Sequence, residues 1–324
     1  MNRRQLLRLA LTTAAAAAAM TMTVPATAQN WPTKPIRLIV GYPPGGPVDT
    51  LARLLLPSLG KNLGQSVIVD NKPGASGSIG VVSTVRAEPD GYTFGIGVLG
   101  NLAIAPHLQK MAYTVDDINY VTVLTQSPHV LVVRKDSSIK DLRGLVEAAR
   151  KAPGKINYGS PGTGSSTHLD GELLEKEAGI DIVHVPYKGG ALVINALLGD
   201  EVQMVAAEVS AVLTMQDKLR VIAVLDTKRS PQLPNVPTAA EQGFPRLVSH
   251  SVYGIIAPPR TPPAIVDKFR LAVNAALEEP AVRAKLLSFG QTPMPSTPAE
   301  YRKAMVDASG KWGALIRERN LKIE

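Results

Sequence analysis

The chain has 324 residues, with 35 Lys and Arg, 27 Asp and Glu, 5 His and no Cys, and its formal net charge is +8. Its 45% hydrophobic and 19% charged residues exclude a disordered or fibrous protein. The lack of cysteine excludes disulfides, thiolate metal sites, cysteine nucleophiles and a lipid-anchoring cysteine, and we expect no metal and no cofactor.

Residues 1–28 have the pattern of an export signal. Arg3, Arg4 and Arg8 precede an apolar run at 9–24, and Ala-Thr-Ala at 26–28 fits a small-residue cleavage site. The basic stem is compatible with twin-arginine export and also with the general secretory route. Loss of three arginines lowers the charge from +8 to +5. Because no other stretch reaches the ~18 apolar residues of a membrane span, we expect a mature protein that is soluble beyond the inner membrane.

Short apolar runs then alternate with helical patterns, which indicates α/β units with parallel sheets. The predicted strands are 36–40, 67–70, 93–98, 120–124, 130–134, 182–185, 202–206, 221–225 and 251–257. The predicted helices are 50–62, 79–87, 142–151, 168–178 and 191–198.

The C-terminal part is predicted to be helical. Thr261 before Pro262 is typical of a helix start with a capping hydroxyl and a proline at the first position. Thr297 and Glu300 have the spacing of a capping box that opens the last helix.

Two chain crossings are predicted, near 125–129 and 246–251, where Ser-Pro at 127–128 and the segment before the last strand interrupt the pattern. They predict two α/β lobes with a ligand cleft between them. The first lobe would comprise residues 29–127 and 249–324, and the second residues 128–248.

A first glycine cluster follows the first strand and precedes a helix. Tyr42, Pro44, Gly45 and Gly46 lie in this turn, where free N–H groups and the helix dipole favour an anion. Asp49 is predicted to cap the helix. The alternative is a tight turn that binds nothing.

A second cluster, rich in hydroxyls, lies before another helix. Gly162, Thr163, Ser165 and Ser166 could donate hydrogen bonds to a carboxylate, although serines also cap helices. No G-x-S-x-G elbow is present, so His168 is expected to be a structural or ligand-contacting imidazole rather than a catalytic base.

A third glycine turn contains Tyr187 and Lys188, the latter either a cation for an acidic ligand or an ordinary exposed lysine. Ligands of open α/β sheets bind beyond the carboxyl ends of strands, so the three loops are predicted to face each other across the cleft. The G-x-G-x-x-G at 95–100 resembles a dinucleotide motif, but Pro106 breaks the following helix. The loop 97–101 is instead expected to contribute to the cleft.

Several motifs together resemble the Bug (Bordetella uptake gene) solute-binding proteins of tripartite tricarboxylate transporters. They span nearly the whole chain after residue 28 and are found at 31–37, 43–49, 69–80, 89–93, 184–190, 229–243 and 257–262.

The resemblance implies a type 2-like periplasmic binding protein, monomeric, which closes on a small carboxylate and delivers it to the large and small membrane subunits of a transporter. By position, Gly45 and Gly46 and the loop at 163–166 would clamp carboxylate groups. Tyr42 and Pro47 depart from the family pattern and put the ligand's identity in doubt. Glu208, near a position where Asp or Asn is frequent, would pair with a ligand amine or cap a helix.

The sequence leaves two functions other than transport open. The same fold could serve a sensor subunit of a membrane kinase, and a periplasmic hydrolase using the Ser/His loop is a further alternative. Aromatic residues are 4% of the chain, which leaves few stacking platforms for sugars or nucleic acids.

Overall fold

The computed structural model describes residues 31–322, so the export signal predicted at 1–28 lies outside the described residues. The strands are β1 Ile36–Val40, β2 Val67–Asn71, β3 Thr93–Val98, β4 Asn119–Arg134, β5 Asn157–Ser160, β6 Val183–Pro186, β7 Met204–Glu208, β8 Leu219–Val224, β9 His250–Ala257 and β10 Thr292–Pro293.

The α-helices are α1 Pro47–Leu63, α2 Ser78–Val85, α3 Ala105–Leu108, α4 Leu142–Lys151, α5 Ser166–Ala178, α6 Gly190–Leu198, α7 Val209–Val212, α8 Pro263–Glu278, α9 Pro280–Ser288 and α10 Pro298–Glu318. A π-helical turn at Gly100–Ile104 precedes α3.

The strands follow the order β2-β1-β3-β9-β4-β7-β5-β6, with β8 and β10 also paired to β4. β1 is parallel to β2 and β3, and β9 is antiparallel to both β3 and β4. β5 is parallel to β6 and β7. The predicted α/β fold with two lobes is confirmed. The first lobe carries β1–β3, β9, β10 and the start of β4, and the second lobe carries the end of β4 with β5–β8.

β4 joins the two lobes as one continuous strand, so the prediction of separate strands at 120–124 and 130–134 is wrong. Its residues up to Pro128 pair with β9, and those from His129 onward pair with β7 and β8. Pro128 is tolerated because its missing N–H falls where the strand changes partners. The next amide, that of His129, donates to the Ser249 carbonyl at 3.0 Å. The lobe boundaries at 127/128 and 248/249 stay predictions.

The core of the first lobe lies between β1, β3, α1 and α8. Its strands are buried on both faces because helices cover them, and Phe94 stacks on Phe269 with ring centroids 3.8 Å apart. The last helix reaches the second lobe, where Arg319 donates to Glu172 at 2.6 Å.

The two predicted helix starts at the C-terminal end have different outcomes. The capping box of α10 is confirmed, since Thr297 Oγ1 accepts from the Glu300 amide at 3.2 Å and Glu300 accepts from the Thr297 amide at 2.8 Å. The prediction that Thr261 caps α8 is wrong. Its buried hydroxyl donates to the Pro258 carbonyl at 2.8 Å, and α8 begins after Pro262 without a side-chain cap.

Candidate functional site

A cavity of about 540 Å³ lies between the two lobes, a volume in the usual range for small-molecule sites. The first lobe lines it with residues from segments 42–48, 75–76, 98–109 and 251–253. The second lobe lines it with residues 161–166 and Glu208. The strand and loop ends of both lobes therefore surround one space.

Asp49 stabilises the first glycine loop by hydrogen bonds. Its buried carboxylate accepts from the Gly45 amide at 2.8 Å, from Arg53 at 2.8 Å and from Asn71 at 2.9 Å. The Arg53 guanidinium holds the pKa of Asp49 at about 2. Asp49 does not cap α1, because Gly46 is the capping residue and no side chain caps it. The carboxylate instead fixes the turn.

This loop contributes less to the cavity than the sequence predicts. The amides of Gly45 and Gly46 already donate to Asp49 and to the Pro43 carbonyl. Tyr42, Pro47 and Val48 line the cavity, whereas Pro44, Gly45, Gly46 and Asp49 are not among its lining residues.

The hydroxyl loop lies across the cavity from α1. Gly162, Thr163, Ser165 and Ser166 all line the cavity. Ser165 caps α5 by accepting from the His168 amide at 3.2 Å. The hydrogen bonds of residues 31–322 include none made by the hydroxyls of Thr163 or Ser166. These two hydroxyls, together with the unpaired amides of the first turn of α5, are donors available to a ligand.

His168 supports this loop from inside the second lobe and is not in the cavity lining. Its Nδ1 accepts from the Gly164 amide at 3.0 Å, and its Nε2 lies 3.4 Å from Glu172. The ring stacks on His184 with centroids 3.8 Å apart. Burial lowers the pKa of His184 to about 4, and the neighbouring His168 contributes to the same shift. Both nitrogens of His168 are engaged within the second lobe, which favours the structural alternative for this residue.

The third glycine turn does not reach the cavity. The Tyr187 hydroxyl donates to Glu201 at 3.1 Å on the outside of the second lobe, and Lys188 is exposed. Neither residue is among those that line the cavity.

Asn101, in the segment 97–101, lines the cavity. Its Oδ1 accepts from the Val98 amide at 2.9 Å, while its buried Nδ2 has no hydrogen-bond partner among the described residues. Gly77 permits this arrangement, because it has a φ of +90° and a Cβ there would lie 2.7 Å from both Asn101 Nδ2 and the Tyr42 ring. A buried unpaired donor is unfavourable, and Asn101 itself is among the residues that line the cavity.

Glu208 reaches from the second lobe to β9 of the first. Its Oε1 accepts from Ser251 Oγ at 2.8 Å and from the Tyr253 hydroxyl at 2.6 Å. Glu208 precedes α7, but its side chain does not cap that helix. Sequence reasoning missed Ser251 and Tyr253, because only the pairing of β9 with β4 brings them to Glu208.

Within residues 31–322, no group of three or more His, Asp or Glu side chains is arranged to hold a metal ion. No helix of this part of the chain is both long and apolar enough to span a bilayer.

A cavity closed by loops of two α/β lobes, with donors from both sides, defines a solute-binding protein. Residues 51–321 match the model of the tripartite tricarboxylate transporter family receptor. BugT from Bordetella pertussis is 33% identical over 308 residues, which cover 94% of this chain and 94% of that protein.

Two solved structures are similar over the full length of their chains. A Rhodopseudomonas palustris protein with adipate has 31% identity and a TM-score of 0.80, with 91% of this chain covered and 100% of that chain. MatC from R. palustris with bound malate has 29% identity and a TM-score of 0.76, with 88% of this chain and 100% of that chain covered. The chain belongs to the tripartite tricarboxylate transporter receptor family, which includes the Bug proteins, and it is a solute-binding receptor of the periplasmic binding protein fold.

Proposed function

We propose that this protein captures a small organic carboxylate in the periplasm by closing its two lobes around it, and delivers it to the membrane subunits of a tripartite transporter. The similar structures that hold malate and adipate support the ligand class. The export signal pattern at 1–28 supports the compartment. The protein acts as a monomer without a cofactor, and it binds its ligand without changing it.

The observation that carries this proposal is the set of unpaired donors on opposite walls of the cavity. Asn101 Nδ2 belongs to the first lobe, and the hydroxyls of Thr163 and Ser166 belong to the second. Micromolar binding requires about 8 kcal/mol, while a helix terminus contributes only ~0.3–2 kcal/mol. Direct hydrogen bonds from both lobes must therefore supply much of the affinity.

Lobe closure is supported by how the chain passes between the lobes. The backbones of residues 129, 225 and 249 are joined side by side, since His129 donates to Ser249 at 3.0 Å and Ser249 donates to Leu225 at 2.7 Å. Rotation about a few such residues is the usual way in which two-lobed binding proteins close.

The ligand class is tested by thermal shift with a panel of carboxylates, after refolding to remove any co-purified ligand. A ligand at about 100 times its dissociation constant adds ~2.7 kcal/mol of stability. We expect at least one small carboxylate to raise the melting temperature. If no carboxylate does so, the proposed function is wrong.

The hydroxyl loop is tested by calorimetry on the double variant Thr163→Ala with Ser166→Ala. We expect affinity for the carboxylate to fall by about tenfold or more, because each hydrogen bond to a charged group contributes ~1.5–3 kcal/mol. The matched control is Thr227→Ala with Ser288→Ala, two exposed hydroxyls outside the cavity, which should bind as the parent does. Unchanged affinity in the loop variant would show that these hydroxyls do not hold the ligand.

Delivery to the membrane subunits is tested by uptake of the labelled carboxylate into cells. Cells that lack this chain should lose uptake, and cells that carry the loop double variant should need a higher ligand concentration. Normal uptake without the chain would argue for a sensor rather than a transport receptor.

A further inference from the structure

Glu208 is the one charged side chain among the described residues that line the cavity. Lys, Arg and His are absent from that lining. A dicarboxylate would therefore bring two negative charges to a site that already holds one and has no cationic side chain to offset it. Like charges at close range in a site shielded from water repel each other.

The contacts of Glu208 keep one carboxylate oxygen available. Both of its described hydrogen bonds, from Ser251 and Tyr253, end on Oε1. Residues 31–322 provide no hydrogen bond to Oε2. A carboxylate oxygen accepts more than one hydrogen bond, so Oε2 is an acceptor without a partner at the cavity wall.

A buried chain of hydrogen bonds connects Glu208 with Asp170 of the second lobe. His129 Nδ1 lies 2.6 Å from Asp170, and its Nε2 lies 3.0 Å from Ser251 Oγ. Because the Ser251 hydroxyl donates to Glu208 Oε1, its oxygen can accept from His129 Nε2–H. The His129 ring thus lies between Asp170 and Ser251, behind Glu208 and outside the cavity lining.

The cavity therefore offers hydrogen-bond donors as well as the free acceptor Glu208 Oε2. Asn101 Nδ2, Thr163 and Ser166 suit the carboxylate of a ligand, whereas Glu208 Oε2 suits a positively charged hydrogen-bond donor. A ligand that fulfils both requirements carries a carboxylate and a protonated amine.

We propose that Glu208 makes the cavity selective for amino-bearing carboxylates, by pairing its Oε2 with the ligand's ammonium group. This inference rests on the proposed function, since it specifies which carboxylates the cavity accepts.

The test compares ligands that differ only in the ammonium group, such as L-aspartate with succinate and L-glutamate with glutarate, by calorimetry on the parent protein. We expect the amino member of at least one pair to bind about tenfold or more tightly than its partner, the range expected for a charge-assisted hydrogen bond. This comparison needs no variant. If succinate and glutarate bind as tightly as their amino partners, the inference is wrong while the proposed function stands. If no carboxylate of either kind binds, both are wrong.

The role of Glu208 itself is tested with Glu208→Gln, which keeps the shape of the side chain and removes its charge. We expect the preference for the amino member to disappear, with weaker binding of the amino acid and equal or tighter binding of the plain acid. The matched control is Glu201→Gln, which changes a glutamate that also accepts from a tyrosine hydroxyl but lies outside the cavity. The control should keep the parent preference. A preference that persists in Glu208→Gln would overturn the assignment.

Discussion

Asp49 holds three donors at once, the Gly45 amide, Arg53 and Asn71. Asp49 is 1% exposed, so its carboxylate depends on these three donors in place of water. Asp49 therefore acts on the cavity indirectly, by fixing the turn that carries Tyr42 and Pro47 to the cavity wall. Glu208, in contrast, is itself part of that wall.

We expect Asp49→Ala to lower the free energy of unfolding by about 2 kcal/mol, because it removes three hydrogen bonds to a charged group. Urea unfolding measures this change. The control is Asp267→Ala, since Asp267 pairs with Arg270 at the surface and its side chain is 63% exposed. An exposed pair of this kind contributes at most about 1 kcal/mol. Equal losses in the two variants would contradict the role of Asp49.

Asp49 also makes the stability of the protein depend on pH. The folded pKa of Asp49 is about 2, below its ordinary value of 3.8. Its contribution is therefore complete above pH 3.8 and is lost as the pH falls toward 2. The stability difference between the parent and Asp49→Ala should shrink over this interval, whereas that for Asp267→Ala should stay small throughout.

Among the secondary-structure elements, helix starts show how far local sequence determines structure. The Thr297 capping box needs only residues within one turn, and it forms as the sequence predicts. Thr261 also precedes a proline but has no Glu three residues later, and its hydroxyl donates to the Pro258 carbonyl three residues earlier. The complete capping box is therefore a more reliable signal of a helix start than a Thr-Pro pair alone.

We expect Thr297→Ala to destabilise the protein by about 1 kcal/mol, the usual contribution of an N-cap hydroxyl. Thr297→Ser keeps the hydroxyl and should retain most of that stability. Thermal unfolding of the two variants beside the parent measures the difference. Equal melting temperatures for the two variants would show that the capping box does not stabilise α10.

The residues of the cavity also differ in how well the sequence predicts them. The hydroxyl loop was predicted because its donors are contiguous in the chain, from Gly162 to Ser166. Ser251 and Tyr253 were missed, because they join the cavity only through the pairing of distant strands. Lys188 and Tyr187 were predicted as site residues on their glycine turn, but that turn lies at the outer end of the second lobe.

At the scale of the whole molecule, His129 links the lobes at the crossing point. It contacts Asp170 of the second lobe and Ser251 of the first. Burial lowers the pKa of His129, but Asp170 and then Glu208 raise it more, so that it lies above its ordinary value of 6.5 even though Lys311 acts to lower it. His250 also lies near this network, and burial lowers its pKa to about 4.

Because the folded pKa of His129 is raised, its contribution to stability is present below pH 6.5 and is lost as the pH rises through the folded value. We expect the melting temperature of the parent to fall over this alkaline interval and that of His129→Gln to change less. His107→Gln is the control, because burial and then Arg317 lower the pKa of His107, which gives a dependence of opposite sign. A parallel decline in the parent and His129→Gln would contradict this role.

The position of β9 between β3 and β4 has a consequence for how the chain folds. β3 and β4 are close in sequence, yet neither completes its pairing until residues 250–257 are available. The parallel strands β5, β6 and β7 all fall within residues 157–208. Contacts between distant residues form slowly, because a long loop must close first. We therefore expect hydrogen-exchange protection to develop first in the second lobe and last in the central strand of the first lobe.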